Sequence, residues 1–470
     1  MLPFTSIEAY QARLNSGQTT CVQTVSHYLR AIEANKELNA YIEVFNEEAL
    51  KRASFLDKQS VKGRLHGVVI GLKDNICYKG HKVSAGSAIL QNFTSLYSAT
   101  AVERLLNEGA IIIGRQNCDE FGMGSTNEYS FYGSVLNPID KERVPGGSSG
   151  GSAAAVRAGL CMASLGSDTG GSVRLPADFC GIVGVKPSYG HVSRYGLIAY
   201  GSSFDQIGIL AHNVQDASLI LEVIAGPDEF DSTATTKALS NTESYKNAGP
   251  YKIAYFPDWI HHPSIDPEIA DRLTNYLKEL ESLGHKVEPV DFKLTEYIVP
   301  TYYILTTAEA SSNLARYDGV RYGYRTKNKV SDLAGFYKKN RTEGFGKEVK
   351  RRIMLGTFVL SSGYYDAYYT KAQQVRNQLL QHTLQIFNNF DFILAPNSPS
   401  IAFKAGEKNK DPLAMYMGDI FTVFANLTGV PAISLPLFKH SSNLPFGIQV
   451  LSKQFNDLSL LSFSHQLMQQ

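Results

Sequence analysis

Short apolar runs alternate with amphipathic segments along most of this chain. The runs at 66–71, 110–114 and 161–166 have the length of buried strands, and the segment 100–110 repeats its apolar residues at helical spacing. The other predicted strands are 251–256, 285–290, 390–396, 431–436 and 446–451, and the other predicted helices are 214–226, 266–284 and 456–468. Alternation of this kind predicts an α/β fold with helices on both faces of a sheet.

Two segments fall outside the alternation. Residues 5–57 place Val22, Val25, Leu29 and Ile32 at helical spacing, which predicts helices there. Residues 227–244 are poor in apolar side chains and are predicted to form a surface loop that is short for a domain linker. Because the chain also lacks internal repeats, we expect one large α/β unit.

Composition and charge restrict the class of protein. Of 470 residues, 43% are hydrophobic and 19% are charged, which is ordinary for a globular protein. The formal net charge is +1, without the basic excess typical of a protein that binds a polyanion unaided. If nucleic acid matters to this protein, we expect another subunit to hold it.

The cysteines indicate a reducing compartment. There are five, an odd and scattered set without a C-x-x-C pair, which disfavours both a disulfide framework and a zinc site. The first residues are amphipathic rather than basic and then apolar, so they do not resemble a signal peptide. No apolar run reaches the roughly 18–20 residues that span a bilayer. We therefore expect a cytoplasmic protein without a metal site or a membrane association.

Two glycine- and serine-rich clusters are the strongest sign of chemistry. They occupy 145–156 and 166–176, on either side of the predicted strand at 161–166. Glycine allows the backbone to turn tightly and to approach a ligand closely, although such clusters also occur as flexible linkers. Neither cluster contains a nucleotide-binding glycine pattern, which disfavours phosphate binding.

Ser172 is a candidate nucleophile in the second cluster. It follows Gly170 and Gly171 and precedes a predicted helix, so its hydroxyl should lie near free backbone N–H groups that could hold an oxyanion. The alternative is that Ser172 only caps this helix.

The base for such a nucleophile is not an obvious histidine. None of the 11 histidines lies in either cluster, and the nearest, His191, has no G-x-S-x-G partner. Lys73 directly follows an apolar strand, where burial could lower its pKa enough to make it a base. The alternative is a salt bridge between Lys73 and the adjacent Asp74.

Four segments in order resemble the amidase signature family: 71–76, 118–128, 144–156 and 164–190. The resemblance extends over nearly the whole chain. It implies a single domain over 1–470, an α/β/α sandwich around a large mixed sheet, with N-terminal helices over 5–57 and a signature core over 66–210.

The resemblance also assigns catalytic roles. It implies a triad of Lys73, Ser148 and Ser172, with a cis peptide bond between Gly147 and Ser148. Neutral Lys73 would take a proton from Ser148, which would take one from Ser172 as that serine attacks an amide carbon. The implied oxyanion hole consists of the backbone N–H groups of Thr169, Gly170, Gly171 and Ser172.

Within this family, three further segments are similar to the A subunits of glutamyl-tRNA(Gln)/aspartyl-tRNA(Asn) amidotransferases: 302–323, 343–369 and 416–436. This resemblance implies that the substrate is glutamine and that the ammonia passes to a partner in a heterotrimer with B and C subunits. The partner would use ATP and Mg²⁺, the tRNA would bind mainly through the B subunit, and this chain would need no cofactor.

Glutamine carries a carboxylate and an ammonium group, so a site for it needs one cation and one anion. The resemblance indicates Arg352 for the carboxylate and Asp419 for the ammonium, with Tyr303 beside them. Alternatively, Arg352 belongs to a solvated helix face and Asp419 caps a helix.

Two positions differ from the family pattern. His191 stands where arginine is usual, and Ile209 stands where proline is usual. Two other functions stay open: a free-standing amidase acting on another small carboxamide, and a catalytically inactive scaffold. The intact triad disfavours the scaffold.

Overall fold

All eleven strands in the described part of the chain lie in one mixed sheet. The computed structural model describes residues 4–236, 239, 249–407 and 416–470, so the predicted loop at 227–244 lies partly outside the described residues. The sheet order is β1-β3-β2-β4-β6-β5-β10-β11-β9-β7-β8. In chain order, β1 to β11 are Tyr41–Val44, Val69–Lys73, Ile111–Gln116, Ala163–Asp168, Val183–Lys186, Gln206–Ala211, Lys252–Tyr255, Lys286–Pro289, Phe392–Pro396, Ala432–Lys439 and Pro445–Ser452.

The central strands are buried on both faces. Every residue of β2, β3, β4 and β6 is buried, which requires packed layers above and below the sheet. The strand β2 pairs in parallel with β3 and β4, whereas β6 is antiparallel to β4 and β5. The predicted class, a large mixed sheet with covering helices, is confirmed.

The helices begin at residues that favour helix starts. Thr20 and Gln23 form a capping box at the second helix, and Asn213 and Asp266 cap two later ones. In chain order, α1 to α15 are Ile7–Asn15, Cys21–Ala34, Asn46–Leu56, Thr100–Asn107, Gly150–Arg157, Arg174–Cys180, Val214–Ile224, Pro257–Ile260, Pro267–Ser282, Thr295–Asn313, Leu333–Gly344, Lys347–Val359, Lys371–Ile386, Val423–Thr428 and Asp457–Leu467.

The prediction of helices throughout 5–57 was wrong at one place. The strand β1 lies between α2 and α3 and pairs antiparallel with β3 at the sheet edge. This strand is only four residues long, is half-buried and contains the charged Glu43, so its apolar pattern is weak.

Two internal strands, β5 and β6, were not predicted. The strand β5 is only four residues long, and both strands contain a glycine that weakens the strand pattern. Gly208 in β6 is required by close packing, because a Cβ there would lie 2.5 Å from the carbonyl oxygen of Val185.

The fold brings the ends of two parallel strands to one place. Lys73 is the last residue of β2, and Asp168 is the last residue of the neighbouring β4. Functional groups of α/β proteins commonly lie at the carboxyl ends of parallel strands. In the part of the chain that the structure describes, no helix is both long and apolar enough to cross a membrane.

Candidate active site

Lys73 lies in a fully buried shell of oxygen atoms. Its Nζ is 2.7 Å from Ser148 Oγ, 2.9 Å from Ser149 Oγ and 2.8 Å from Ser167 Oγ. Burial lowers the pKa of Lys73 to about 8, against the opposing attraction of nearby acidic groups. A fraction of this amine is therefore uncharged near neutral pH and can accept a proton.

The alternative salt bridge between Lys73 and Asp74 is wrong. Asp74 Oδ1 instead pairs with Arg115 Nη1 at 2.6 Å, and its Oδ2 accepts from Ser84 Oγ at 2.5 Å. Asp74 points away from Lys73 because the side chains of successive residues at a strand end point to opposite faces.

The two glycine- and serine-rich clusters meet at the end of β4. The N–H of Ser149 donates to the carbonyl oxygen of Ser172 at 3.1 Å, which holds the clusters together. Ser148 has no exposed surface and follows a cis peptide bond from Gly147, as predicted. Ser172 keeps 8% of its surface exposed, so it is the member of the group that a substrate can reach.

The hydroxyls of Ser148 and Ser172 are not hydrogen-bonded to each other. Among the described residues, no hydrogen bond joins Ser148 Oγ to Ser172 Oγ, although Ser148 Oγ is bonded to Lys73. Catalytic hydrogen bonds are often long without a substrate and shorten in its complex. The structure thus contains the inner half of the predicted relay.

The residues from Thr169 to Ser172 carry the backbone N–H groups predicted to form the oxyanion hole, but not all of these groups are available. The N–H of Gly171 donates to Asp168 Oδ1 at 2.9 Å, so this predicted oxyanion donor is already engaged. Within the described chain, the N–H groups of Thr169, Gly170 and Ser172 donate to no other group. These three are free to receive an oxyanion.

Gly170 and Gly171 are required by their surroundings. A Cβ on Gly170 would lie 2.3 Å from Tyr302 Oη, and one on Gly171 would lie 2.3 Å from Thr422 Oγ1. Gly171 also has a φ of 122°, which side chains other than glycine rarely adopt. The loop therefore lies close to the helices α10 and α14.

A buried ion pair fixes the start of this loop. Asp168 Oδ1 lies 3.0 Å from Arg174 Nη2, and both side chains are fully buried. Burial alone would raise the pKa of Asp168, but Arg174 holds that pKa well below its usual range. Asn426 and Gln449 complete the hydrogen bonds of the pair.

A second buried carboxylate, Asp205, connects two parts of the site. It accepts from Thr169 Oγ1 at 2.6 Å and from the backbone N–H of Tyr200 at 2.9 Å. The hydroxyl of Tyr200 in turn accepts from Arg352 Nη1 at 2.8 Å. Asp205 therefore links the loop that begins at Thr169 to Arg352, the residue predicted to bind the carboxylate of glutamine.

Arg352 is buried, so its alternative interpretation as a solvated side chain is wrong. Its Nε donates to Glu348 Oε1 at 2.8 Å, and its guanidinium lies against the rings of Tyr303 and Tyr416. Glu348 and Tyr200 leave part of the guanidinium fork free for a ligand.

Asp419 and Tyr303 contact each other directly. Tyr303 Oη donates to Asp419 Oδ2, and Ser125 Oγ donates to Asp419 Oδ1, each at 2.7 Å. The side chain of Asp419 therefore does not cap the helix that follows, and Thr422 occupies the cap position.

The residues predicted to bind glutamine lie next to the serine group. Thr422 Oγ1 donates to the carbonyl oxygen of Gly170 at 2.7 Å and to that of Asp419 at 3.3 Å. Tyr302, which packs on Gly170, directly precedes Tyr303 in α10. A small zwitterion held by Arg352 and Asp419 would thus lie beside the loop of Ser172.

The two departures from the family pattern lie away from these groups. His191 is buried with Nδ1 2.8 Å from Asp457 Oδ2, and Ile209 is buried within β6. In the described part of the chain, no group of three or more acidic, histidine or cysteine side chains is arranged to hold a metal ion.

Several residues of the site were not predicted. Asp205, Tyr200 and Ser125 contact predicted residues from distant parts of the sequence, and Glu348 contacts Arg352 from within the same helix. A sequence signal existed only for Glu348, which lies four residues before Arg352 and so on the same face of a helix.

Comparisons with known proteins agree with this geometry. The profile of the family described as amidase matches residues 23–461. The A subunit of a glutamyl-tRNA(Gln) amidotransferase from Chlorobium phaeobacteroides is 50% identical over 468 residues, covering 98% of each chain. The A subunit of the same name from Koribacter versatilis is 48% identical over 467 residues, covering 98% of this chain and 97% of that one.

A solved structure gives the same result. The crystal structure of the A subunit of glutamyl-tRNA(Gln) amidotransferase from Thermotoga maritima superposes with a TM-score of 0.77 at 42% identity. The superposition covers 93% of this chain and 89% of that one.

The Asp168–Arg174 pair yields a prediction for stability. Arg174→Leu removes the partner of a fully buried carboxylate, so we expect the free energy of unfolding to fall by about 3–5 kcal/mol. Urea denaturation followed by circular dichroism measures this. The matched control Arg157→Leu alters an exposed arginine and should change stability by about 0.5 kcal/mol or less. Equal losses in the two variants would contradict the anchoring role.

Proposed function

The chain belongs to the amidase family, and from that premise we propose that it hydrolyses glutamine as the A subunit of a tRNA-dependent amidotransferase. The observation that carries this proposal is the position of Arg352 and Asp419 beside the loop of Ser172. An amidase that acts on an uncharged carboxamide has no need of a buried cation and a buried anion at that place.

The reaction begins with proton transfer away from Ser172. Uncharged Lys73 accepts the proton of Ser148 Oγ, and Ser148 Oγ accepts that of Ser172 as Ser172 Oγ bonds to the side-chain amide carbon of glutamine. The amide oxygen becomes an oxyanion, which the N–H groups of Thr169, Gly170 and Ser172 stabilise. Gly171 contributes the backbone conformation of the loop.

Departure of ammonia reverses the direction of the protons. Ser148 donates a proton to the nitrogen as the carbon–nitrogen bond breaks, and Lys73 returns a proton to Ser148. Water then attacks the acyl-enzyme through the same groups and releases glutamate. No net proton is gained or lost by the enzyme over the cycle.

Substrate selection rests on the two charged groups. The free N–H groups of Arg352 bind the α-carboxylate, and Asp419, held by Tyr303 and Ser125, binds the α-ammonium. Glu348 orients Arg352 through their 2.8 Å hydrogen bond. A carboxamide that lacks the α-carboxylate or the α-ammonium group would lose one of these two charge-assisted contacts, at a cost in binding.

The names of the relatives support the rest of the proposal. They are A subunits of glutamyl-tRNA(Gln) amidotransferases, which favours an assembly over a free-standing amidase. We expect B and C subunits as partners, with ATP and Mg²⁺ used by the partner that amidates Glu-tRNA(Gln) or Asp-tRNA(Asn), and tRNA bound mainly through the B subunit. The five buried free cysteines support a cytoplasmic location.

Substitution of the nucleophile tests the mechanism. Ser172→Ala should lower glutamine hydrolysis in the assembled complex by about a thousandfold or more, because no acyl-enzyme can form. Ammonia release from purified complex measures this, and assembly itself should persist. In the control Ser152→Ala, the buried hydroxyl has no partner in the described chain, so activity should be retained. Normal hydrolysis by Ser172→Ala would refute the assignment.

The protonation of Lys73 should determine the pH dependence of glutamine hydrolysis. Below its pKa of about 8, Lys73 carries a proton and cannot accept another, so kcat/KM for glutamine should rise from pH 6 and level off above pH 8. Asp119 and Asp205 are two buried carboxyl groups whose charges act on Lys73, and burial raises their pKa values only to about 6, so their titration is separate. A kcat/KM that stays constant from pH 6.5 to 9 would exclude Lys73 as the base.

Recognition of the carboxylate can be tested with a conservative change. Arg352→Lys keeps the charge beside Glu348 but loses the planar fork, so KM for glutamine should rise about tenfold or more while kcat changes less. Steady-state kinetics separates the two constants. The control Lys350→Gln, two residues earlier in α12, should leave KM unchanged. An unaltered KM in Arg352→Lys would show that the carboxylate binds elsewhere.

A further inference from the structure

The charge of the chain is concentrated in one segment. Residues 316–352 contain twelve lysines and arginines and only four acidic residues, so they carry +8 in a chain whose total is +1. Nine of these basic side chains are exposed. Among the described residues, only Arg351 of these nine forms a salt bridge, with Glu348. The near-neutral total therefore conceals a positive surface.

Exposed apolar side chains are concentrated in the same region. Residues 320–368 hold nine of the eighteen large apolar side chains that are exposed in the described chain, although this segment is about a tenth of the sequence. Contiguous exposed apolar groups on a folded protein usually mark an interaction site.

The helix α12 joins these two properties on its outer face. Residues spaced by one turn or two form a line along this face, and two tyrosines extend it by packing against Phe358 with ring centroids 4.3 and 5.8 Å away. Met354 is the most exposed apolar residue of this line, with 73% of its surface exposed. We call the following residues the α12 strip: Lys347, Arg351, Met354, Leu355, Phe358, Tyr364 and Tyr368.

The chemistry of the α12 strip identifies the kind of partner. An apolar centre with a charged rim is the usual composition of a protein–protein interface. Aliphatic side chains such as Met354 and Leu355 offer little to a nucleic acid, which is bound through cations and stacked aromatic rings. The positive charge of Lys347 and Arg351, in the first two turns of α12, attracts acidic residues.

We propose that the α12 strip is the docking site for another subunit of the assembly, through a surface that presents apolar side chains flanked by aspartate and glutamate. This inference rests on the proposed function, since it requires partner subunits. The apolar side chains of that subunit cover Met354, Leu355 and Phe358, and its carboxylates pair with Lys347 and Arg351.

The position of the α12 strip connects docking to the active site. The inner face of α12 carries Arg352 and Glu348, and it packs so closely on α10 that a Cβ on Gly356 would lie 1.9 Å from the carbonyl oxygen of Thr307. A partner bound to the outer face therefore restricts the movement of α12, the helix whose Arg352 binds the glutamine carboxylate. Docking and glutamine binding share one rigid element.

The test uses the purified full chain and its own B and C subunits, which are expressed together and purified as a pair. We expect the double variant Met354→Asp/Phe358→Ser to bind the B–C pair about thirtyfold or more weakly, since both changes fall at the centre of the interface. Lys347→Glu should weaken binding about threefold or more, with a smaller effect at high salt. Surface plasmon resonance gives both dissociation constants.

Matched controls distinguish the loss of the α12 strip from the general effect of making an exposed apolar position polar. Leu96→Asp and Phe55→Ser alter apolar side chains that are 79% and 57% exposed elsewhere, and they should leave the dissociation constant unchanged. Glutamine hydrolysis by each isolated variant should equal that of the unmodified chain, which shows that the fold is intact.

The outcomes distinguish this proposal from the proposed function. Native affinity in the double variant would overturn the docking site while leaving the glutaminase assignment in place. Weaker binding of tRNA with unchanged assembly would also overturn it and assign the surface to nucleic acid. Failure of the unmodified chain to bind the B–C pair would contradict the proposed function itself.

Discussion

The site depends on keeping one lysine amine out of water. Lys73 Nζ lies at the end of β2 and is enclosed by the hydroxyls of Ser148, Ser149 and Ser167, and burial brings its pKa to about 8. An exposed lysine stays charged at neutral pH and cannot act as a base. The fully buried central strands provide this enclosure, so the large sheet is a condition of the chemistry as well as of stability.

Buried carboxylates hold the remaining groups in place, and each does so from a different part of the chain. Asp168 and its partner Arg174 fix the loop that carries Ser172, and Asp205 joins Thr169 to the Tyr200 segment. Glu348 orients Arg352 in the same way, and burial that would raise the pKa of Glu348 is outweighed by the guanidinium beside it. Groups fixed in this manner need little rearrangement when a substrate binds, which favours catalysis.

The sequence predicted the parts of this protein that have local signals. The serine clusters, Lys73 after its apolar strand and most of the sheet followed from residue patterns, because glycine bunching and apolar runs are properties of neighbouring residues. The edge strand β1 and the strand β5 are only four residues long, β6 contains an interior glycine, and all three became visible only in the structure. The roles of Asp205 and Ser125 depend on contacts with residues far away in sequence, which no local pattern contains. The positive segment 316–352 was hidden for another reason: an opposite charge elsewhere in the chain cancels it in the total.

The most direct measurement is a titration of Lys73 itself. Lysines labelled with ¹³C at Cε can be followed by NMR across pH 6 to 11, and the signal of residue 73 is identified by its absence in Lys73→Met. The account predicts a midpoint near 8 for this one signal, with the solvated lysines titrating near 10.4. A midpoint for Lys73 at or above that of the solvated lysines would contradict the claim that an uncharged amine in this site starts the reaction.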